Sequence, residues 1–330
     1  SETVAGKVSV GTQTFGGNKT IIGESATVGS AFTVQNLSHT VVAEISNLGD
    51  SYFNEVRIGK GKGAGANNTV LGKTALGNNT TGVNATAIGV ESLASNTTGN
   101  HNTAVGADAL YKNTTGGKNT AIGVLPLFNN TIGASNTAIG YYSMYSNISG
   151  SFNLSLGDSS LHLNTIGFEN TAIGFSALYS NTTGNYNIGI GTVALYSNTT
   201  GSGNVGIGDK SGRYIADGTT NNSISDNSVY IGANTKALAN NQTNQIVIGY
   251  DATGAGSNTA TIGNTSIVKT VLRGVIAHST SYTVATLPTG ALGDTAFVTD
   301  AVAPTYLGAL TGGGSVACQV FHNGTNWVSH

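Results

Sequence analysis

The apolar and polar positions of this chain recur with a fixed beat. Gly72, Gly89, Gly106, Gly123, Gly140, Gly157, Gly174, Gly191 and Gly208 stand seventeen residues apart. Taken as anchors, they are preceded by an aliphatic residue, as at Ile88, Val105, Ile122, Ile139, Leu156, Ile173, Ile190 and Ile207. Four residues after the first eight anchors come Leu76, Leu93, Leu110, Leu127, Met144, Leu161, Leu178 and Leu195. Seven after them stand Asn79, Asn96, Asn113, Asn130, Asn147, Asn164, Asn181 and Asn198, and ten after them a second glycine, from Gly82 to Gly201. A repeat this short, kept without insertions, is the signature of a solenoid.

Helical hairpin repeats need about 33 residues or more, so the period excludes them. It fits one β-roll coil with two short strands and two turns. Residues before each anchor alternate as a half-buried strand does. The aliphatic position and the one two residues earlier (Thr, but also Leu154, Ile188 and Val205) are assigned to the inside. The small residues between them, Ala87, Ala104, Ala121, Ala138, Ser155, Ala172, Gly189 and Gly206, are then outward, where neighbouring chains could approach closely. Gly89, Gly106, Gly123, Gly140, Gly174 and Gly191 are read as turns needing positive φ or close backbone approach. Asn113, Asn147, Asn181 and Asn198 are read as a stack whose amides bond to turns or to the next coil.

The pattern NTAIG, followed by small residues and a second glycine turn, resembles the head repeats of trimeric autotransporter adhesins over residues 67 to 210, and more loosely over 229 to 263. The resemblance implies an all-β, left-handed parallel β-roll, with three chains intertwined or side by side. No membrane-anchor barrel or coiled-coil stalk of that family is legible here. The stretch ATIGNTSIVKTVLRGVI is similar to the neck closing β-rolls in bacteriophage tail fibres. The segment from YTVATLP through VTDA and LTGGGSV to Trp327 resembles a small β module at the ends of phage virion proteins. The expected organisation is an attachment or capping region over 1–55, the roll over 56–211, an insertion over 212–228, irregular coils and neck over 229–279, and a β module over 280–330. Nine coils at roughly 4.8 Å give about 40 Å of rise. Each coil encloses little apolar surface, so trimerisation is the expected remedy.

Composition narrows the function classes. Of 330 residues only 8% are charged, against roughly 25% in ordinary globular chains. The net charge of -2 offers no footprint for nucleic acid. No apolar run approaches the roughly 20 residues of a membrane span, so no membrane insertion is expected. A single cysteine, Cys318, excludes an intrachain disulfide. Glu91, Asp108, Asp158, Glu169 and Asp209 are scattered over coil positions, and Glu91 with Asp108, sharing one a coil apart, is thin support for a glycosidase. The six histidines show no metal-ligand spacing. The glycine run from Gly59 to Gly65, near Arg57, Lys60 and Lys62, matches no phosphate loop and reads as the turn into the first coil. No enzyme activity, cofactor or metal is expected.

Five residues after the anchors runs an aromatic column, Tyr111, Phe128, Tyr145, His162, Tyr179 and Tyr196. It is either a packing ladder, the favoured reading, or an outward stripe holding sugar rings. Trp327, Tyr306 and His322, with Phe321 and His330 nearby, are the further receptor candidates, although Trp327 and Phe321 also suit the core of a small β module. The sequence thus points to a tail-fibre shaft located on the virion and extracellular. Its expected partners are two further copies, other virion tail proteins and a host surface glycan or protein. Residues 1–55 are expected toward the attachment end and 280–330 at the distal end. A cellular trimeric adhesin and, from the Thr80, Thr97 and Thr114 column, an ice-binding solenoid are the alternatives.

Overall fold

The computed structural model describes residues 30–35, 41–46, 50–53, 55–63 and 67–267, and in the C-terminal part 269, 283–287, 289, 295–301, 309, 312, 314, 316–323 and 325–329. The chain divides into two units, Ser1–Ile267 and Val268–His330.

The first unit is a parallel β-solenoid. Its single long sheet begins with the strands Ser30–Gln35, Val41–Ser46, Ser51–Phe53 and Val56–Gly59, each antiparallel to the next. Val56–Gly59 pairs antiparallel to Thr69–Gly72, and from there every step is parallel. The switch at Thr69 therefore places Val56–Gly59 with the preceding meander rather than with the coils. Asp50 fixes this junction, because its buried Oδ1 accepts the Lys60 and Gly61 N–H groups at 2.6 and 3.1 Å. The glycine run is a turn into the first coil as far as Gly63; residues 64–66 lie outside the described residues.

Twelve parallel strands, Thr69–Gly72 to Ala260–Ile262, define eleven coils. Register is strictly in phase: Thr86 faces Thr103, Ala87 faces Ala104 and Ile88 faces Val105. Eight coils span seventeen residues, and the last three span 24, 17 and 14, read from Gly208, Gly232, Gly249 and Gly263. Two expectations are corrected. Each regular coil has one three-residue strand, not two. The residues two and four after the anchor, such as Asp108 and Leu110, have φ of 55° and 53° and curl the chain before a second strand can extend. The other sides are held by turn-to-turn bonds, such as Leu93 N–H to Ala109 O at 2.9 Å and Thr97 N–H to Thr114 O at 2.9 Å.

The strand faces are also the reverse of the expectation. Ala87, Ala104, Ala121, Ala138, Ser155 and Ala172 are fully buried, whereas Ile122, Leu156 and Ile207 are exposed. The Leu column does point inward, with every member from Leu76 to Leu195 buried. Leucine from one wall fills the narrow interior, so the facing strands from Ala87 to Gly206 carry only alanine, serine or glycine there. A Cβ added at Gly189 would stand 3.1 Å from Leu178 Cγ.

The 24-residue coil bulges, and its larger interior takes the buried ring of Tyr230 where the strands from Ala87 to Gly206 have alanine, serine or glycine. Tyr230 OH lies 3.1 Å from Ser225 Oγ, and the short strands Ser225–Asp226 and Gln242–Thr243 add a small parallel pair. Of the expected neck, residues beyond Ile267 lie outside the described residues except position 269. The second unit holds a three-stranded antiparallel sheet, Thr295–Ala301, Val316–His322 and Trp327–Ser329. Its core is Ala296, Val298, Ala301 and Val320, with Val284, Leu287, Cys318 and Trp327 packed against it.

Candidate functional site

The turn residues build an internal ladder. Asn113 Nδ2 donates to Asn96 Oδ1 one coil back at 2.8 Å and to Gly116 O in its own turn at 2.9 Å. Asn147 and Asn181 repeat both bonds, and Asn198 is the last rung, 3.3 Å from Asn181 Oδ1. Asn198 Oδ1 is buried with no further rung to accept from. The anchors Gly89, Gly106, Gly123, Gly140, Gly174 and Gly191 line one edge of the sheet. At Gly140, φ is 135° and an added Cβ would stand 2.6 Å from Gly157 O, so both reasons for glycine hold there.

A second asparagine ladder escaped the sequence reading. It runs through Asn102, Asn119, Asn136, Asn153, Asn170, Asn187 and Asn204, all buried. Asn102 Oδ1 accepts the Asn119 N–H at 2.9 Å, and Asn119 Nδ2 donates to Gly133 O at 2.9 Å. The seventeen-residue spacing was visible four positions before the anchors, but the column is broken by Ala85.

The aromatic column is a continuous half-buried stack. Centroid separations from Tyr111 through Phe128, Tyr145, His162 and Tyr179 to Tyr196 are 5.1, 5.3, 5.4, 5.0 and 5.0 Å. Interplanar angles stay between 5° and 9°. The spacing follows the strand-to-strand distance of about 4.8 Å, so identical coil positions impose face-to-face rings. Arg213 closes one end, 4.6 Å from the Tyr196 centroid, and Tyr142 packs edge-on against His162. Each inner ring spends both faces on its neighbours. A sugar would therefore meet ring edges, and the geometry favours the packing reading.

Among the described residues no group of three or more His, Cys, Asp or Glu side chains could hold a metal ion. Asp217, in the bulged coil, has its carboxyl lowered to about 2 by the Thr220 hydroxyl and then the Thr219 and Thr220 N–H groups, an ordinary turn-closing arrangement. The Thr80, Thr97 and Thr114 hydroxyls donate to carbonyls of the next coil at 2.8 to 3.0 Å, so their protons are engaged along the stack.

In the second unit Trp327 is half-buried against the small core. Tyr306, His330 and the His322 side chain lie outside the described residues. No helix among the described residues is long and apolar enough to cross a membrane.

Fold and ladders together define a β-solenoid structural repeat protein. No protein-family model matches the chain, and no curated protein or solved structure matches it.

Proposed function

We propose that the chain is the shaft of a bacteriophage tail fibre, a parallel homotrimer that contributes to attachment at the host surface. The observation carrying this reading is the aliphatic stripe on the outer strand face. Leu71, Ile122, Leu156 and Ile262 are 43%, 38%, 41% and 56% exposed, and they belong to one column in phase over twelve strands. The neighbouring outward column is Thr86, Thr103, Thr120 and Thr137, becoming Leu154, Ile188 and Ile246. A face with rows one coil apart is matched by a surface of the same rise, and a second copy of this chain presents one.

Covering the stripe also addresses the thin interior. Burying the exposed third or so of an aliphatic side chain is worth roughly 0.5 to 1 kcal/mol, so the rows together offer each chain on the order of 10 kcal/mol before association costs. This moves the chain-to-chain contact from the alanine column to the isoleucine column. The resemblance of the coils to adhesin heads and of the C-terminal segment to virion modules supports the assignment to a tail fibre, on the virion and outside the cell. A cellular adhesin would use the same stripe, and the neighbourhood of the coding gene separates the two.

Light scattering tests the assembly. The full chain is expected at three times its 33.2 kDa. The Ile122→Asp, Leu156→Asp double variant is expected to keep its far-ultraviolet dichroism and fall to one chain. A monomeric wild type, or a variant still trimeric, refutes the contact.

A further inference from the structure

The outer strand face is bordered by two flanks, and both change character along the coils in the same order. One flank precedes each strand, at the twelfth residue after an anchor; the other follows it, at the first and second. In the coil of Gly106, Lys118 stands on the preceding flank and Asp108 on the following one, and in the coil of Gly89 the two are His101 and Glu91. Further along, in the coils of Gly140 and Gly174, the preceding flank carries Phe152 and Tyr186, the following one Tyr141 and Phe175. Phe152, Tyr186, Tyr141 and Phe175 are 64%, 54%, 50% and 58% exposed.

A single chain makes no use of either band. Among the described residues Lys118 and Asp108 form no ion pair. Phe152 and Tyr186 have φ of 60° and 58°, a left-handed conformation that is costly for a bulky ring and that Asn84 and Ser135 take in other coils. Tyr141 packs edge-on to Tyr142 with centroids 4.3 Å apart, and Tyr186 to Phe168 at 5.1 Å, so each flank presents a preformed aromatic patch. One coil departs from the scheme: Asp158 and Glu169 are both acidic, and there Asp158 Oδ1 accepts the Tyr141 N–H at 3.1 Å.

Three copies that turn their strand stripes to a common axis meet heterologously, the preceding flank of one beside the following flank of the next. Point symmetry holds the copies at equal height. Lys118 and Asp108 belong to one seventeen-residue coil, so across that contact they stand within one coil rise of about 4.8 Å in height. The same holds for Phe152 with Tyr141 and for Tyr186 with Phe175. Cation then meets carboxylate, and ring meets ring.

We propose that the two flanks form a second contact with a further copy of this chain, Lys118 of one copy meeting Asp108 of the next, and Phe152 and Tyr186 meeting Tyr141 and Phe175. The proposal rests on the reading of the chain as a parallel homotrimer and is continuous with its aliphatic stripe. It assigns the charged and aromatic bands to the seam between copies.

Lys118→Asp and Asp108→Lys each set like charges across the seam, and the double swap restores opposite ones. The coils accept both changes, since Glu169 holds the Lys118 position and Lys210 the Asp108 position, each at φ of 53°. The full chain is followed by sedimentation on dilution, in the urea concentration that half-dissociates wild type where dilution alone does not, and far-ultraviolet dichroism checks that each variant keeps its coils. In about 50 mM salt each single variant is expected to dissociate at about threefold higher concentration or more, and the double swap at the wild-type value; about 1 M salt should shrink these differences. Phe152→Ser is expected to loosen the trimer at both salt concentrations. Single charge variants that dissociate like wild type, a double swap no tighter than the singles, or an unaltered Phe152→Ser trimer overturns the proposal. A monomeric wild type removes the trimer and the seam together. A trimer broken by the Ile122→Asp, Leu156→Asp pair but indifferent to Lys118→Asp and Phe152→Ser overturns the seam and leaves the stripe standing.

Discussion

Asn147→Ala removes a middle rung of the first asparagine ladder, and its cost can be counted bond by bond. Asn147 Nδ2 donates to Asn130 Oδ1 at 2.7 Å and to Gly150 O at 2.9 Å, and its Oδ1 accepts from Asn164 Nδ2 at 2.8 Å. All four residues are buried. After truncation Gly150 O keeps the Asn136 amide at 2.8 Å, and Asn164 Nδ2 keeps Gly167 O at 3.0 Å. Asn130 Oδ1 loses its side-chain donor altogether. Three bonds at roughly 0.5 to 1.5 kcal/mol each, with one buried acceptor orphaned, give about 3 to 5 kcal/mol. A water entering the vacated space would bring the loss toward the lower figure. The first rung is the internal control. Asn79→Ala loses the bonds to Gly82 O and from Asn96, at 3.0 and 2.9 Å, but Gly82 O keeps Asn68 Nδ2 at 3.1 Å and no earlier rung is orphaned. Its cost should be about 1 to 3 kcal/mol. Urea unfolding followed by dichroism measures both variants. Because solenoid coils are stabilised by their neighbours, amide exchange across residues 130–167 gives the local readout. A loss under about 1 kcal/mol for Asn147→Ala, or equal losses for the two, would refute the ladder as a stabilising device.

Leu178→Asp places a carboxylate in an interior that already crowds Gly189, and should cost at least about 3 kcal/mol; an unchanged thermal melt would reject the inward Leu column. His162→Ala removes the ring shared by two stacked pairs, and is expected to lose about 1 to 3 kcal/mol and to alter the near-ultraviolet tyrosine bands, whereas unaltered bands would mean that the rings do not stack in solution. The Asp217 pKa is depressed from 3.8 to about 2, so its contribution to the bulged coil is complete above the unfolded value and fades as the pH falls from 3.8 through about 2. Nuclear magnetic resonance should show the Thr219 and Thr220 amides titrating with a midpoint near the folded value, and a midpoint at or above 3.8 would contradict the turn.

Much of the solenoid was legible because every coil repeats the same local instructions. The anchor glycines and the Leu and Asn columns each meet their own copies one coil away, so a seventeen-residue spacing in the chain becomes a straight line in space. The aromatic column was legible for the same reason, and the rise of one coil then fixed its rings face to face. The second asparagine ladder was written at the same period but lacked an unbroken run, and the Tyr230 core follows from a bulge whose path no periodicity describes.

The inside and outside of the strand were decided only in three dimensions. Ile88 and Ala87 both belong to an apolar alternation, and period alone cannot say which of them faces the interior. Coil width settles it. With Leu93, Leu110 and Leu178 projecting from the opposite wall, the strands from Ala87 to Gly206 keep only small side chains inside, larger Val70, Tyr230 and Val247 standing outside that run, so alanine lies inside and isoleucine is turned to the surface.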